Sequence, residues 1–573
     1  MRIVLAVLMV LATGPGRVGS AVPAEIVPGR ACVAAETSPQ TPQAPGRVQR
    51  PPARTGTSRI RGRVVSADSG RPLPRAVVQA TSSDLADPRS ATTDALGRYD
   101  FRDLPSGKYL LFATKPTYVS APLGGRVPSD AGKTVKLGDA ETASNVDIRL
   151  IRAAAISGRV VDDNGEPVPY VDVQVLQAQF VGGARRLTVI RPIVACKTDD
   201  LGQYRVFDLQ GGTYYLAAIP SQASGADAGG GVGLAPSYYP GIADPGQAQA
   251  VHVEPGRDEP ATDITLQSTR MARVSGSALD LTGRPAVGGS VTALLTAAGT
   301  GLDLGSTSVR PDGSFTFPSL PPGDYVFTLF TLASLGRFQR DVGRARLTVA
   351  GIDIATLTIQ ANFGGRFSGQ IVFDGGTANR SVRGMTVSPV ALDPADPAPG
   401  GATGDRQVRA DGTFALTGLF GQLLFRVEGL PAGWTLKAIT VYGRDVTDLS
   451  TWFEGREQMT GVQVVLTDRP TKIIGKVMSD DGTLAETAYV VVFSADPARW
   501  SMHSRYRGSA VVRDGEPFTI DGLPSGEYYA AAFAENPIGL DVSDPEALER
   551  LRRAAVRFSL EEGGMKSLTL TVR

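Results

Sequence analysis

Histidine and cysteine are almost missing from this chain, with two of each in 573 residues. Zinc sites, haem ligation, disulfide scaffolds and Ser-His-Asp catalysis all draw on these residues, so the shortage weighs against each of them. Neither His252 nor His503 has a partner at metal-ligand spacing. Charge of one sign is lacking too. Lys and Arg number 58 against 57 Asp and Glu, a net +1, which removes the electrostatic reason to expect nucleic acid as a partner. No stretch reaches the ~18 uncharged apolar residues of a membrane-spanning helix. The motifs G-x-S-x-G, H-E-x-x-H and G-x-x-x-x-G-K do not occur. The expectation is a chain that is not an enzyme, holds no cofactor or metal, binds no nucleic acid and has no transmembrane segment.

Glycine and proline are plentiful instead. There are 67 Gly and 40 Pro, together about 19% of the chain, and no collagen period. Many turns follow. At the N-terminus, Arg2 precedes an apolar run, Ile3 to Ala12, and then small residues from Gly14 to Ala21. That pattern predicts a cleaved signal peptide over residues 1–21 and hence export to the periplasm, the cell envelope or the medium. Residues 22–58 contain Pro28, Pro39, Pro42, Pro45, Pro51 and Pro52 and few large apolar side chains. They read as a disordered linker that buries too little surface to offset its ordering entropy. Cys32 lies in this linker and Cys196 in a strand-like segment, so two unpaired thiols are expected rather than a disulfide.

The phrase apolar-x-Gly-x-apolar then recurs five times, beginning at Ile60, Ile156, Val274, Phe367 and Ile473. These starts are 93 to 118 residues apart, the size of a β-sandwich domain. A turn such as Asn164-Gly165-Glu166-Pro167 follows the opening strand. Mid-unit comes Asp94-Ala95-Leu96-Gly97-Arg98-Tyr99-Asp100-Phe101, with counterparts at Asp199, Asp312, Asp411 and Asp514. A Leu-Pro-x-Gly-x-Tyr segment turns the chain back, as at Leu104 to Tyr109 and Leu523 to Tyr528. Residues two apart, Tyr99 and Phe101 or Phe315 and Phe317, share a strand face. One apolar and one polar face per strand predicts two antiparallel sheets packed face to face. The expected fold is all-β, with sandwiches at 59–152, 153–270, 271–363, 364–470 and 471–573. Ser543-Asp544-Pro545-Glu546 reads as a capping box, which places one helix near 544–556 in the last unit.

The opening strand with its glycine, the Gly-x-Pro turn, Asp-x-x-Gly-x-Tyr/Phe and Leu-Pro-x-Gly-x-Tyr together resemble the carboxypeptidase regulatory-like domain. The resemblance implies a transthyretin-like Greek-key sandwich of the carbohydrate-binding-like fold group, repeated in tandem in a secreted bacterial protein. The fourth unit departs from the pattern: its first turn is Gly375-Gly376, and it carries the extra phrase Trp434-Thr435-Leu436-Lys437-Ala438-Ile439. In metallocarboxypeptidases the zinc site belongs to a separate catalytic domain, so the family name does not imply peptidase activity here.

The pairs Asp162-Asp163, Asp199-Asp200 and Asp480-Asp481 fall beside turn glycines, where capping is their usual role and calcium ligation the lesser reading. Aromatic side chains are the candidate ligand platforms, because sugar rings stack on flat apolar faces. Tyr238 and Tyr239 lie in a long insertion of the second unit, and Trp434, Trp452 and Trp500 are the only tryptophans. For the tryptophans a core position carries more weight than a ligand role; for the tyrosines the two readings are even. Three functions are set against one another. The first is a non-catalytic exported protein that binds glycan or an envelope or extracellular protein. The second is a structural spacer or stalk, and the third a carboxylate-based glycosidase. Oligomeric state is left open.

Overall fold

The computed structural model of the chain describes residues 56–572, except 86, 129, 131, 182–183, 191–194, 222–230, 297–299, 332–341, 377–379, 393–405, 502 and 535–543. The expected signal peptide, all but the end of the linker, and Cys32 lie outside these residues. The described chain is almost entirely β-strand, arranged in many separate sheets.

Each recurrence of apolar-x-Gly-x-apolar is a strand at the centre of a sheet. The first, Ser58–Ser66, pairs antiparallel with Arg98–Leu104 on one side. On its other side it pairs parallel with Thr142–Ala143 and Ile148–Leu150. The same three-way arrangement surrounds Ala154–Val161, Ala272–Leu279, Gly365–Asp374 and Lys472–Met478. The parallel contact corrects the expectation of wholly antiparallel sheets. Parallel neighbours cannot be joined by a hairpin, so the chain crosses to a second sheet and returns between them. That second sheet is antiparallel: Val77–Thr81 lies between Arg89–Thr92 and Gly107–Thr114. Apolar residues from the two sheets meet in a core, such as Ile60, Val78, Tyr99, Leu111 and Ile148, all buried.

The opening-strand glycine is required by close approach. A Cβ on Gly276 would lie 1.8 Å from the carbonyl oxygen of Leu357 in the closing strand and 2.9 Å from Cζ of Phe315. At Gly62 the carbonyl of Val146, just before Ile148–Leu150, and at Gly369 that of Val462 in Gln458–Thr467 again come to 1.8 Å of that position. The glycine's antiparallel partner is always the mid-unit aromatic: Tyr99, Tyr204, Phe315, Phe414 and Phe518 face Gly62, Gly158, Gly276, Gly369 and Gly475. The ring covers the bare backbone and shields the ladder beneath it. Where it is tyrosine, its hydroxyl also donates to the approaching carbonyl, Tyr99 to Val146 at 2.6 Å and Tyr204 to Thr262. Burial pushes both hydroxyls well above the usual tyrosine range.

The second signature has its own bond. The Leu-Pro-x-Gly-x-Tyr tyrosine reaches back four residues to a turn carbonyl. Tyr109 donates to Pro105 at 2.6 Å, Tyr325 to Pro321 at 2.7 Å and Tyr528 to Pro524 at 2.6 Å. The fourth unit has Leu423 there and an added strand, Thr435–Val441, paired antiparallel with Gln458–Thr467. That strand is the extra phrase noted in the sequence.

The expected helix runs from Pro545 to Arg552, shorter than anticipated. Asp544 is its N-cap and accepts from the Glu546 N–H at 2.8 Å. Val556, at the end of the expected helix, opens instead the strand Val556–Leu560, in which the Phe558 ring stacks against Tyr528 at 5.8 Å.

Gly276→Val is expected to destabilise its sandwich by about 3 kcal/mol or more, through overpacking against backbone that cannot retreat. Gly283 has a φ of +79°, and no atom lies within 4 Å of the point where a Cβ would stand. Gly283→Ala should therefore cost only ~1 kcal/mol of backbone strain. Urea unfolding of the two variants checks the difference.

Candidate functional site

Several strands break the expected in-out alternation. Gly212–Ile219 is buried at six consecutive positions, Tyr214 to Ile219. Gly323–Phe330 is buried from Tyr325 to Leu329 and Gly526–Phe533 from Ala530 to Ala532. A strand buried on both faces needs cover on both faces. For the first of these strands, Tyr214, Leu216 and Ala218 pack in one core, and Tyr215, Ala217 and Ile219 in another. Leu176, Tyr215, Ala217 and Tyr238 share one core with Val291, Phe315 and Phe327, so residues on both sides of position 270 pack together.

Tyr238 is part of that shared core, 2% exposed, and its hydroxyl lies 2.7 Å from Thr300 Oγ1. Tyr239 is half-buried against the neighbouring core. Trp434 is buried, edge-on to Phe373 at 4.7 Å. Trp500 is buried against Phe493 and Leu548, with its indole N–H donating to the Ser494 carbonyl at 2.7 Å. Tyr238, Trp434 and Trp500 therefore present no open ring face in this conformation. Trp452 stands apart at 41% exposed.

Trp452 lies on the short strand Thr451–Phe453, and the Arg346 guanidinium sits over its ring, 4.6 Å from the centroid. Arg346 comes from the strand Val342–Val349, about a hundred residues earlier in the chain. Between these two strands is a cleft of about 490 Å³, lined by Trp452, Arg344, Arg346, Arg456 and Glu457 and floored by buried Phe420 and Val326. The Glu457 carboxylate is engaged by the backbone N–H groups of Glu454, Gly455 and Arg456 at 2.9–3.0 Å. Sequence reasoning missed the three arginines; their one trace was the alternation Arg344-Ala345-Arg346, which places two cations on one strand face.

A second junction is ionic. Asp448 receives Arg505 at 2.9 Å and Arg426 at 3.6 Å. Arg426 also donates to the His503 carbonyl at 2.6 Å. Lys437 bridges Asp374 and Glu562, each at 2.8 Å. Burial lowers the His503 pKa, and the Arg426 and Arg507 charges lower it further. His252 is an exposed strand residue beside Thr213. The aspartate pairs act at turns: Asp162 accepts from the Asn164 and Glu166 N–H groups, Asp199 from Leu201 and Gln203, and Asp481 from Thr483. Among the described residues no three His, Cys, Asp or Glu side chains are grouped to hold a metal ion. No described helix is long and apolar enough to cross a membrane.

Residues 59–150 match the carboxypeptidase regulatory-like domain, a non-catalytic regulatory fold. No curated protein matches the chain. Among solved structures, the Bacillus anthracis TIE protein is similar at 14% identity over 54% of this chain, with a TM-score of 0.16. The chain spans 51% of that protein's length. The minor pilin GBS52 of Streptococcus agalactiae is similar at 16% identity over 37% of this chain and 97% of its own, with a TM-score of 0.23. The shaft pilin SpaA of Lactobacillus rhamnosus GG is similar at 12% identity over 38% of this chain and 98% of its own, with a TM-score of 0.22.

Tyr238→Phe should lower stability by ~1 kcal/mol, the worth of one buried hydroxyl bond, and Tyr238→Ala by about 3 kcal/mol or more; thermal melts measure both. The His503 pKa is lowered on folding, so the unfolded chain binds the proton first. Its contribution is full above the unfolded value of about 6.5 and is lost as pH falls from there through the lower folded value. His503→Gln is expected to flatten the loss of stability below about pH 6.5, read from melting temperatures across that range.

Proposed function

We propose that the chain is a non-catalytic exported protein of five tandem transthyretin-like sandwiches, at 59–152, 153–270, 271–363, 364–470 and 471–573. In this reading it binds a glycan, or an envelope or extracellular protein. The observation that carries it is the cleft at Trp452, where a partly exposed indole, the Arg346 guanidinium over its ring and a polar rim meet at the boundary of the proposed third and fourth sandwiches. A concave site of a few hundred Å³ with one flat apolar face suits a saccharide. Five recurrences of the glycine-aromatic pair support the count, and the apolar run Ile3 to Ala12 after Arg2 supports export. Tyr239, half-buried in the second unit, is a secondary contact candidate in the same proposal.

The spacer reading keeps a place beside it because of the shared core around Tyr238 and the ionic contacts of Asp448, both of which oppose bending between neighbours. The two roles are compatible. A glycan array and a pull-down against envelope proteins, both with the full chain, should each be informative. Saturable binding to at least one glycan or protein class is expected, and failure to bind any of them would leave only the spacer.

A further inference from the structure

One strand, Gly212–Ile219, lines two cores at once. Its Tyr214, Leu216 and Ala218 share a core with Ile156, Val173 and Val206, while Tyr215, Ala217 and Ile219 share another with Val291, Phe315 and Phe327. Alternate side chains of a strand leave on opposite faces, so a single backbone carries part of both cores. The other large cores each draw their buried residues from one stretch of chain: 60–150, 154–266, 367–466 and 473–570. Among these large cores, the one around Phe327 alone gathers residues from both sides of Met271, from Leu176 to Ala361.

The segment 231–248 bridges the same point. Val232–Ala235 pairs antiparallel with Gln267–Arg270, the stretch that leads into the strand Ala272–Leu279. The Met271 N–H donates to the Gly231 carbonyl at 3.0 Å, and the Thr265 N–H to the Pro240 carbonyl at 3.0 Å. The Gln267 N–H donates to the buried Ser237 hydroxyl at 3.2 Å. From this anchored segment Tyr238 pairs its backbone with Ala217 and places its ring in the core around Phe327, its hydroxyl 2.7 Å from Thr300 Oγ1. A connector held in a ladder lacks the bending freedom of a loose tether. We propose that residues 231–248 are a splint, and that with the shared strand they join residues 154–266 and 272–361 into one body that opens cooperatively. The consequence extends past stiffness, because the two cores are lost together. Melting the core around Val173 releases Gly212–Ile219 from its sheet and so takes Tyr215, Ala217 and Ile219 out of the core around Phe327. The length of this insertion, unusual for a loop in a sandwich, then has a conformational role.

Hydrogen exchange of the full chain, followed by mass spectrometry at a series of sub-denaturing urea concentrations, tests this. Two strands report on the two cores: Ala154–Val161, through Ile156 and Val160, and Gly323–Phe330, through Tyr325, Phe327 and Leu329. Lys472–Met478, whose Ile473 and Val477 lie in a separate core, is the reference. In the parent, the slowest amides of the two reporters are expected to show protection equal to within roughly threefold, with the same urea dependence, as a single opening requires. Tyr238→Ala should lower protection in both by the same factor, roughly a hundredfold or more, and leave Lys472–Met478 unchanged. Thr269→Pro removes the N–H of the residue paired with Gly233 in the splint ladder and touches no large core side chain; it should lower both reporters together by roughly tenfold. Different urea dependences in the parent overturn the proposal, and this comparison stands even where Tyr238→Ala fails to fold. A variant that lowers one reporter and spares the other overturns it too. Full protection of both reporters in Thr269→Pro overturns the splint.

Discussion

The contact on which the fold depends is a glycine in an opening strand lying under an aromatic ring, with a closing-strand carbonyl pressed against its bare α-carbon. Gly276, Phe315 and the Leu357 carbonyl form one such set. Three strands distant in sequence meet at that point, and none of the three can be displaced alone. The parallel register slips by a residue there, between Val274 and Gly276, and the ring fills the space a side chain would have taken. With that point fixed, the opening strand is held between two neighbours, and the second sheet has a flat apolar face to pack against. The tyrosine of the return strand, bonded four residues back, then sets where the second sheet begins.

Much of this was legible in sequence. The glycine phrase, the Asp-x-x-Gly-x-Tyr/Phe segment and the Leu-Pro-x-Gly-x-Tyr segment each correspond to a physical requirement, so their recurrence marks the same local structure each time. What alternation alone could not reveal was direction: period two is identical for parallel and antiparallel neighbours. The helix limits failed for a similar reason. Phe558 falls at near-helical spacing from Leu551, yet the strand it occupies also places it inward.

The candidate site was legible only in part, because a ring's accessibility depends on which unit packs beside it. Tyr238 and Trp452 look alike as aromatics in irregular sequence. One is enclosed by residues such as Val291 and Phe327, far along the chain, and the other is left at the rim of a cleft. The uninterrupted apolar run from Tyr214 to Ile219 was the available warning, since a strand with a solvated face has no use for six buried positions in succession. Arginine contributed in two ways that composition averages away. Arg426 is drawn into a half-buried pairing with Asp448, while Arg346 sits over an indole ring.

The parallel pairing of opening and closing strands has a mechanical side. In the last unit Lys472–Met478 runs alongside Met565–Thr571 over seven residue pairs. The chain enters at the start of one strand and leaves at the end of the other. Tension along the chain therefore pulls these neighbours in opposite directions along their length. The inter-strand hydrogen bonds are loaded together in shear, rather than opened one after another like a zip. A sandwich wired this way resists being drawn out by force far better than its equilibrium stability alone would suggest, and this holds wherever the arrangement recurs along the chain.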